Sequence, residues 1–447
     1  LPRLHEDVNE EWINDRTRFA YDGLKRQRLD RPYLRDGETG RLRESNWDEV
    51  LNILGERLAN AGPERIGAIA GDLCDLESMV ALKDLMQALG SQNLDCRLDG
   101  EHFDTRTRSG YLFNTGIAGL EESDCILIVG ANPRWEATLI NARIRKTWLD
   151  KRIPIGLIGE PRDLTYPYTH IGEGPQDLQA LIDEKHSFAE KLKNAEKPVV
   201  IFGSGAFMRE DGMAVHALGH ELTQKFNIIN EEINGFNMLH KDAARVGALD
   251  IGFLPGQDGM NATHMLEAAR NDKLDILYLL GVDHMNVRDR AGADTLIVYQ
   301  GHHGDAGAAS ADIVLPGAAY TEKDGLYVNT EGRVQMAKRA VHPPGDARAD
   351  WAIIRALSEK VGYTLPYDSL IDLRERIEDE WPELTLIDVK PEAERGFFGR
   401  DGEVMNAPFQ TPIDNFYMTN VITRASQTMA QCTKQLLKPD RELEAAE

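Results

Sequence analysis

Histidines, cysteines and glycine-bearing turns are the residues here whose type and spacing could do chemistry. Gly301-His302-His303-Gly304-Asp305 has the composition of a metal site. Adjacent side chains point different ways on most backbones, and a third ligand would have to come from elsewhere. Histidines that hold loop carbonyls are the expectation instead. The four cysteines, Cys74, Cys96, Cys125 and Cys432, lie far apart, and no two form C-x-x-C. A [2Fe–2S] or [4Fe–4S] cluster takes about four thiolates, usually with some closely spaced, so one cluster would consume every cysteine. Cys125 sits in an apolar run that reads as a buried strand. Neither a cluster nor a disulfide framework is expected; reduced thiols in a cytosol or matrix are the simpler reading.

Two turns could approach a ligand. Gly203-Ser204-Gly205 follows an apolar run and precedes a helical one, a context in which backbone N–H groups can cradle a phosphate. The third glycine of G-x-G-x-x-G is missing, because position 208 is Met208. No acidic residue ends a next strand at the usual distance, and Asp211-Gly212 reads as a helix start. Gly130-Ala131-Asn132-Pro133-Arg134 also follows a strand, with Asn132 placed to cap and Pro133 to open a helix. That is a pocket-edge position in an open α/β sheet, yet a strand-to-helix turn accounts for it. Thr321-Glu322-Lys323-Asp324-Gly325 reads as a solvated turn. No Ser/His/Asp arrangement, P-loop or paired-carboxylate spacing stands out, so no catalytic, cofactor-binding or metal residue is assigned.

The elements that would carry these residues alternate. Apolar runs at 65–70, 124–130, 153–158, 198–202, 274–280 and 295–300 read as buried strands. Helical spacing appears at 77–89, through Met79, Leu82, Leu85, Met86 and Leu89, and at 136–149, 177–192, 211–226, 350–361 and 369–378. Ser45 is the expected N-cap of a helix beginning near Trp47, with Asp48 and Glu49 at its positive end. Around Thr330-Glu331-Gly332 the pattern changes to a hairpin. The expectation is an α/β protein of layered, doubly wound, mostly parallel sheets with helices on both faces, a small hairpin and a C-terminal wrap. Its expected divisions are an arm at 1–49, one lobe at 50–170, a second at 171–350 with the hairpin near 326–335, and helices and wrap at 351–447. The charged end, 441–447, is expected to fray.

The 447 residues suit about three domains of roughly 150 residues. With 51 Lys+Arg against 74 Asp+Glu, the net charge is −23. That argues against nucleic acid and against anionic lipid, both of which need clustered cations. At 42% hydrophobic, the chain can bury a large core. Its apolar runs are strand-sized, short of the ~20 residues that cross a bilayer, and no stretch reads as a signal peptide.

Several stretches together resemble the molybdopterin oxidoreductase superfamily: the run 311–325 (ADIVLPGAAYTEKDG), its continuation 328–335 (VNTEGRVQ), Arg18-Phe19, Arg28-Leu29, Arg31-Pro32, and Ser45 with Trp47-Asp48-Glu49. Within it the sequence resembles the branch formed by the largest iron–sulfur subunit (the 75-kDa type) of respiratory complex I, NADH:quinone oxidoreductase, of α-proteobacterial or mitochondrial style. The branch markers are HEDVNEEWI at 5–13, FAYDGLK at 19–25, NARIRK at 141–146, DLTY at 163–166, YQGHHGD at 299–305, FYMT at 416–419 and RASQTMA at 424–430.

The resemblance implies a place in the hydrophilic arm of a membrane complex, on the cytoplasmic or matrix side, with other hydrophilic-arm subunits as partners. It implies a scaffold and assembly portion of an enzyme that passes electrons from NADH through FMN and iron–sulfur clusters to quinone, and not a catalyst by itself. Family members carry their [2Fe–2S] and [4Fe–4S] clusters in an N-terminal region. This sequence lacks those cysteine runs and begins at Leu1, so it is expected to be the C-terminal portion of such a subunit. Active molybdenum relatives often supply a cysteine or selenocysteine followed by His-Gly. Here the comparable stretch is 93–100, with Asp99 about where the ligand would stand and His102 after Glu101. A carboxylate suits a high-valent oxo-metal, and an active molybdopterin lobe is the alternative. This branch is held to have lost the cofactor, which makes Asp99 an ordinary loop residue and leaves no cofactor in these residues. The helix face bearing Arg143, Arg145 and Lys146 is a candidate docking surface.

Overall fold

The computed structural model describes residues 2–437, so the expectation for 441–447 lies outside the described residues. In chain order the strands are β1 (Tyr33–Arg35), β2 (Leu42–Glu44), β3 (Ile66–Ala70), β4 (Asn93–Asp95), β5 (Cys125–Val129), β6 (Ile155–Ile158), β7 (Thr169–Gly172), β8 (Pro198–Phe202), β9 (Phe236–Met238), β10 (Ile276–Leu280), β11 (Leu296–Gly301), β12 (Ile313–Pro316), β13 (Gly325–Val328) and β14 (Val334–Ala337). Seven form one sheet, in the order β2-β1-β12-β11-β10-β3-β4, and five another, β7-β6-β5-β8-β9. The five-stranded sheet is parallel throughout. The seven-stranded one is parallel except where β1 meets β12 and β2. β13 and β14 make the expected hairpin.

Strands buried on both faces explain the continuous apolar runs. Ile276, Tyr278 and Leu280 of β10 and Cys125, Leu127 and Val129 of β5 turn into one continuous core that joins the two sheets. Leu277 and Leu279 face a second cluster outside the seven-stranded sheet. Ile126 and Ile128 face a third outside the five-stranded sheet. The expected α/β class with helices on both faces is the architecture found.

The sheets do not divide the chain into contiguous lobes at 50–170 and 171–350. β3 pairs with β10, Ile66 opposite Ile276, and the whole five-stranded sheet is inserted between them. Apolar runs identify strands but carry no record of which run pairs with which.

Local corrections follow from side-chain chemistry. Asn46, not Ser45, caps the helix Trp47–Asn60, its Oδ1 accepting the Glu49 N–H at 3.0 Å, while Ser45 donates to the Glu49 carboxylate. The 177–192 segment is two helices, Pro175–Ile182 and Phe188–Lys193. Arg143 is 5% exposed. It binds Glu121 and the Glu6 carbonyl, and Lys146 reaches Glu10 at 2.6 Å and Glu121 at 3.0 Å. The protein's own N-terminal arm thus takes up Arg143, while Arg145 and Lys146 of the candidate docking face stay exposed.

The stretch expected as a solvated turn is also buried. Arg28 grips the Glu322 carboxylate with two guanidinium nitrogens. Lys323, 6% exposed, sits between Asp75 (2.5 Å) and Asp350. Asp75 caps the helix Leu76–Ala88 and Asp350 opens the helix Asp350–Val361, so one ammonium fixes two helix starts against the hairpin. Removing one partner of such a buried set leaves the others uncompensated, at a cost of about 3–5 kcal/mol. Lys323→Met is therefore expected to lower the urea-unfolding free energy by that order, read from the shift of the denaturation midpoint.

Candidate functional site

The carboxyl ends of parallel strands are where open α/β sheets gather ligands, and here both sheets deliver theirs to one cavity. Gly71-Asp72 follows β3, Cys96 and Asp99 follow β4, Glu136 lies beyond β5, Lys241-Asp242 follow β9 and His284 follows β10. The cavity measures about 480 Å³. The C-terminal segment closes one side through Ile413, Met418 and Arg424. Arg16 of the N-terminal arm braces that segment, its Nη1 donating to the Phe416 carbonyl (3.0 Å) and Thr419 Oγ1 (2.9 Å).

Asp99 is not an ordinary loop residue. Its carboxylate lies 2.9 Å from both Lys241 and Arg245. Burial alone would raise its pKa, but the two cations win and hold it well below the usual carboxylate range. Arg245, 2% exposed, also binds Glu101 and, at 2.6 Å, Asp242. Glu101 goes the other way: burial and the Asp99 charge push it up to about 7.

The two glycine-bearing turns meet at Glu136. One Glu136 oxygen accepts the Asn132 N–H at 2.5 Å. Burial raises the Glu136 carboxyl to about 7, against the backbone N–H groups of Asn132 and Ser204, which favour its ionised form. Thus part of the anion-favouring backbone between these turns faces the protein's own carboxylate. Gly205 needs to be glycine because a Cβ there would stand 1.9 Å from the Gln410 carbonyl oxygen. Asp72 is likewise raised to about 7, by burial and then by Asp242.

The other candidates are dispersed. His303 Nε2 donates to the Gly23 carbonyl at 2.9 Å, and the His302 carbonyl accepts from Arg28 Nε at 3.0 Å. Burial keeps both imidazoles neutral, with His303 lowered to about 4. Among the described residues no group of three His, Cys, Asp or Glu is placed to hold a metal. Cys96 borders the cavity, and burial pushes its thiol up to about 12, the opposite of a thiolate ligand's environment. Sequence reasoning missed Lys241, Arg245, Glu101 and Glu136; a buried ion network leaves no spacing signal when its members lie more than a hundred residues apart.

The sequence model of the molybdopterin oxidoreductase family matches residues 28–360, and the chain belongs to that family. At its ends, residues 389–432 match the C-terminal domain of the G-type subunit of NADH-ubiquinone oxidoreductase, and residues 1–22 match the NDSU1/NuoG-like 4Fe-4S domain. The chain is similar, at 45% identity over 98% of its length, to the mitochondrial NADH dehydrogenase [ubiquinone] iron-sulfur protein 1 of Solanum tuberosum. It is 41% identical over 97% of its length to the G-type subunit of NADH-quinone oxidoreductase from Rickettsia felis. It spans 58% of the first relative and 62% of the second. In structure it resembles acetylene hydratase from Pelobacter acetylenicus, with a TM-score of 0.55 at 14% identity over 86% of this chain and 68% of that one. A second neighbour, the formyltransferase/hydrolase complex of Methylorubrum extorquens, gives 0.53 at 16% identity over 74% of this chain and 98% of the other. Both show the fold alone.

The family's pterin cofactor finds poor accommodation here. The Cys96 thiol at the cavity edge is held protonated, Asp99 is committed to two cations, and the Gln410 carbonyl occupies the space above Gly205. Gly205→Ala is expected to detach the C-terminal segment around Gln410, seen as faster cleavage between 400 and 420 in limited proteolysis. Glu136, raised from ~4.3 in an unfolded chain, stabilises the fold only while protonated; that contribution is lost as pH rises through about 7. Glu136→Gln should therefore gain on the parent between pH 5 and pH 8, on the order of 3 kcal/mol, in chemical denaturation.

Proposed function

We propose that this chain is the scaffold and assembly portion of the largest iron–sulfur subunit of a proton-pumping NADH:quinone oxidoreductase, carrying no redox centre of its own. The observation that supports the reading is the state of the cleft: Asp99, about where a metal ligand would stand, is ion-paired to Lys241 and Arg245, and the Gln410 carbonyl packs against Gly205. In this reading the clusters belong to a preceding region, to which residues 1–22 are the transition. The arm exposes Leu4, Trp12 (57%) and Tyr21, apolar side chains that suit a protein neighbour. The partners are other hydrophilic-arm subunits. No helix among the described residues is long and apolar enough to cross a membrane, which suits a peripheral position on the cytoplasmic or matrix side. The wrap borders the cavity beside the arm, and in this reading the arm's exposed apolar side chains face the rest of the subunit.

Metal analysis tests the cofactor part: the purified chain is expected to hold molybdenum, tungsten and iron well below one atom per chain, and stoichiometric metal overturns the reading. For the scaffold part, Trp12→Ala with Tyr21→Ala should lower the yield of assembled complex on native gels without changing the isolated chain's melting temperature.

A further inference from the structure

Beside the strand-end cavity, sharing Leu73 and Ala243 with it, lies a second cavity of about 240 Å³. Its walls are mostly apolar: Leu73, Tyr320 and Tyr327, with the small Ala243, Ala318 and Ala337 between them. Tyr320, 47% exposed, marks its mouth. An apolar cavity of about 150 Å³ is enough to hold a benzene ring, so this one has room for a single ring bearing a polar group.

Two polar side chains also border it, Lys323 and His302. Lys323 is spent on Asp75 and Asp350. His302 is not, and the hydrogen bonds around it fix where its lone pair lies. The Gly23 carbonyl can only accept, so His303 carries a proton on Nε2. Burial keeps His303 neutral, which leaves its Nδ1 as an acceptor. His302 Nδ1 lies 2.5 Å from that atom and is the donor. Burial keeps His302 neutral as well, so its Nε2 is an unprotonated acceptor. Among the described residues Nε2 has no hydrogen-bond partner. It is not one of the polar atoms shut off from solvent, and His302 is only half-buried.

The cavity therefore presents one fixed acceptor in an apolar slot. A charged ligand would leave water for walls that offer it no free counter-ion, a cost that a neutral donor escapes. The two tyrosine rings favour a flat aromatic partner. We infer that this cavity binds a small neutral aromatic molecule of the phenol or indole class, its single O–H or N–H donating to His302 Nε2 and its ring against Tyr320 and Tyr327. Binding is reversible and involves no covalent step. The site goes beyond the scaffold role and does not rest on it.

The test is calorimetry of the full chain with phenol and with indole, each up to about 5 mM, a range that fills a millimolar site. Toluene, of like size without a donor, and benzoate, a like ring with a charge, are the controls. At least one of phenol and indole is expected to bind, with both controls at least about fivefold weaker, the ratio that one neutral hydrogen bond gives. His302→Phe should erase the preference for phenol over toluene. Ala337→Phe, which fills the slot from a half-buried position, should abolish binding, and it carries the test alone should His302→Phe lose the parent's circular dichroism. The proposal is overturned if neither phenol nor indole binds, if toluene or benzoate binds as tightly, or if the folded variants bind as the parent does.

Discussion

The structure depends on one buried guanidinium. Arg245 takes Asp99 and Glu101 from the loop after β4, in the seven-stranded sheet, and Asp242 from the turn after β9, in the five-stranded sheet. Its charge is what allows three carboxylates to lie together out of water. The arrangement ties two sheets at the edge where their strands end. It also bears on the site. A carboxylate held ionised by two cations to keep two sheets in place is spent on that task, which suits the reading of Asp99 as a structural residue.

Much of the framework was legible in the sequence. β8 and the helix Asp350–Val361 fall where apolar runs and helical spacing put them, because fully buried strands and amphipathic helices leave strong local patterns. Three-residue strands did not. β4 reads Asn93-Leu94-Asp95, two polar residues around one leucine, and exists because β3 offers it an edge. Strand pairing across the chain was equally hidden. At the site, the sequence marked Asp99, Gly205 and the Gly130 turn as positions of interest but assigned them bland roles. Their partners, Lys241, Gln410 and Ser204, lie far along the chain. The same blindness made Lys323 a solvated turn residue and Arg143 a surface charge; a lone charged residue beside a turn looks identical whether its counter-ion is water or a distant carboxylate.

The family's architecture explains why the cavity persists at all. Two sheets that bring their carboxyl ends together leave a crevice by geometry. Here the crevice is bordered by chain from both ends: the arm through Arg16 and the wrap through residues 412–424. Charged side chains border it, among them Asp72, Asp99, Lys241 and Asp242.

The nesting of one sheet inside another has a consequence for how the chain emerges from the ribosome. β5 to β9 are contiguous and can pair as soon as they leave the tunnel. β3, made earlier, must wait with an unfilled edge until β10 to β12 are translated. During that interval its apolar Ile66-Gly67-Ala68-Ile69-Ala70 is open to wrong partners. Vectorial synthesis thus separates β3 from its partner β10 by the whole five-stranded sheet.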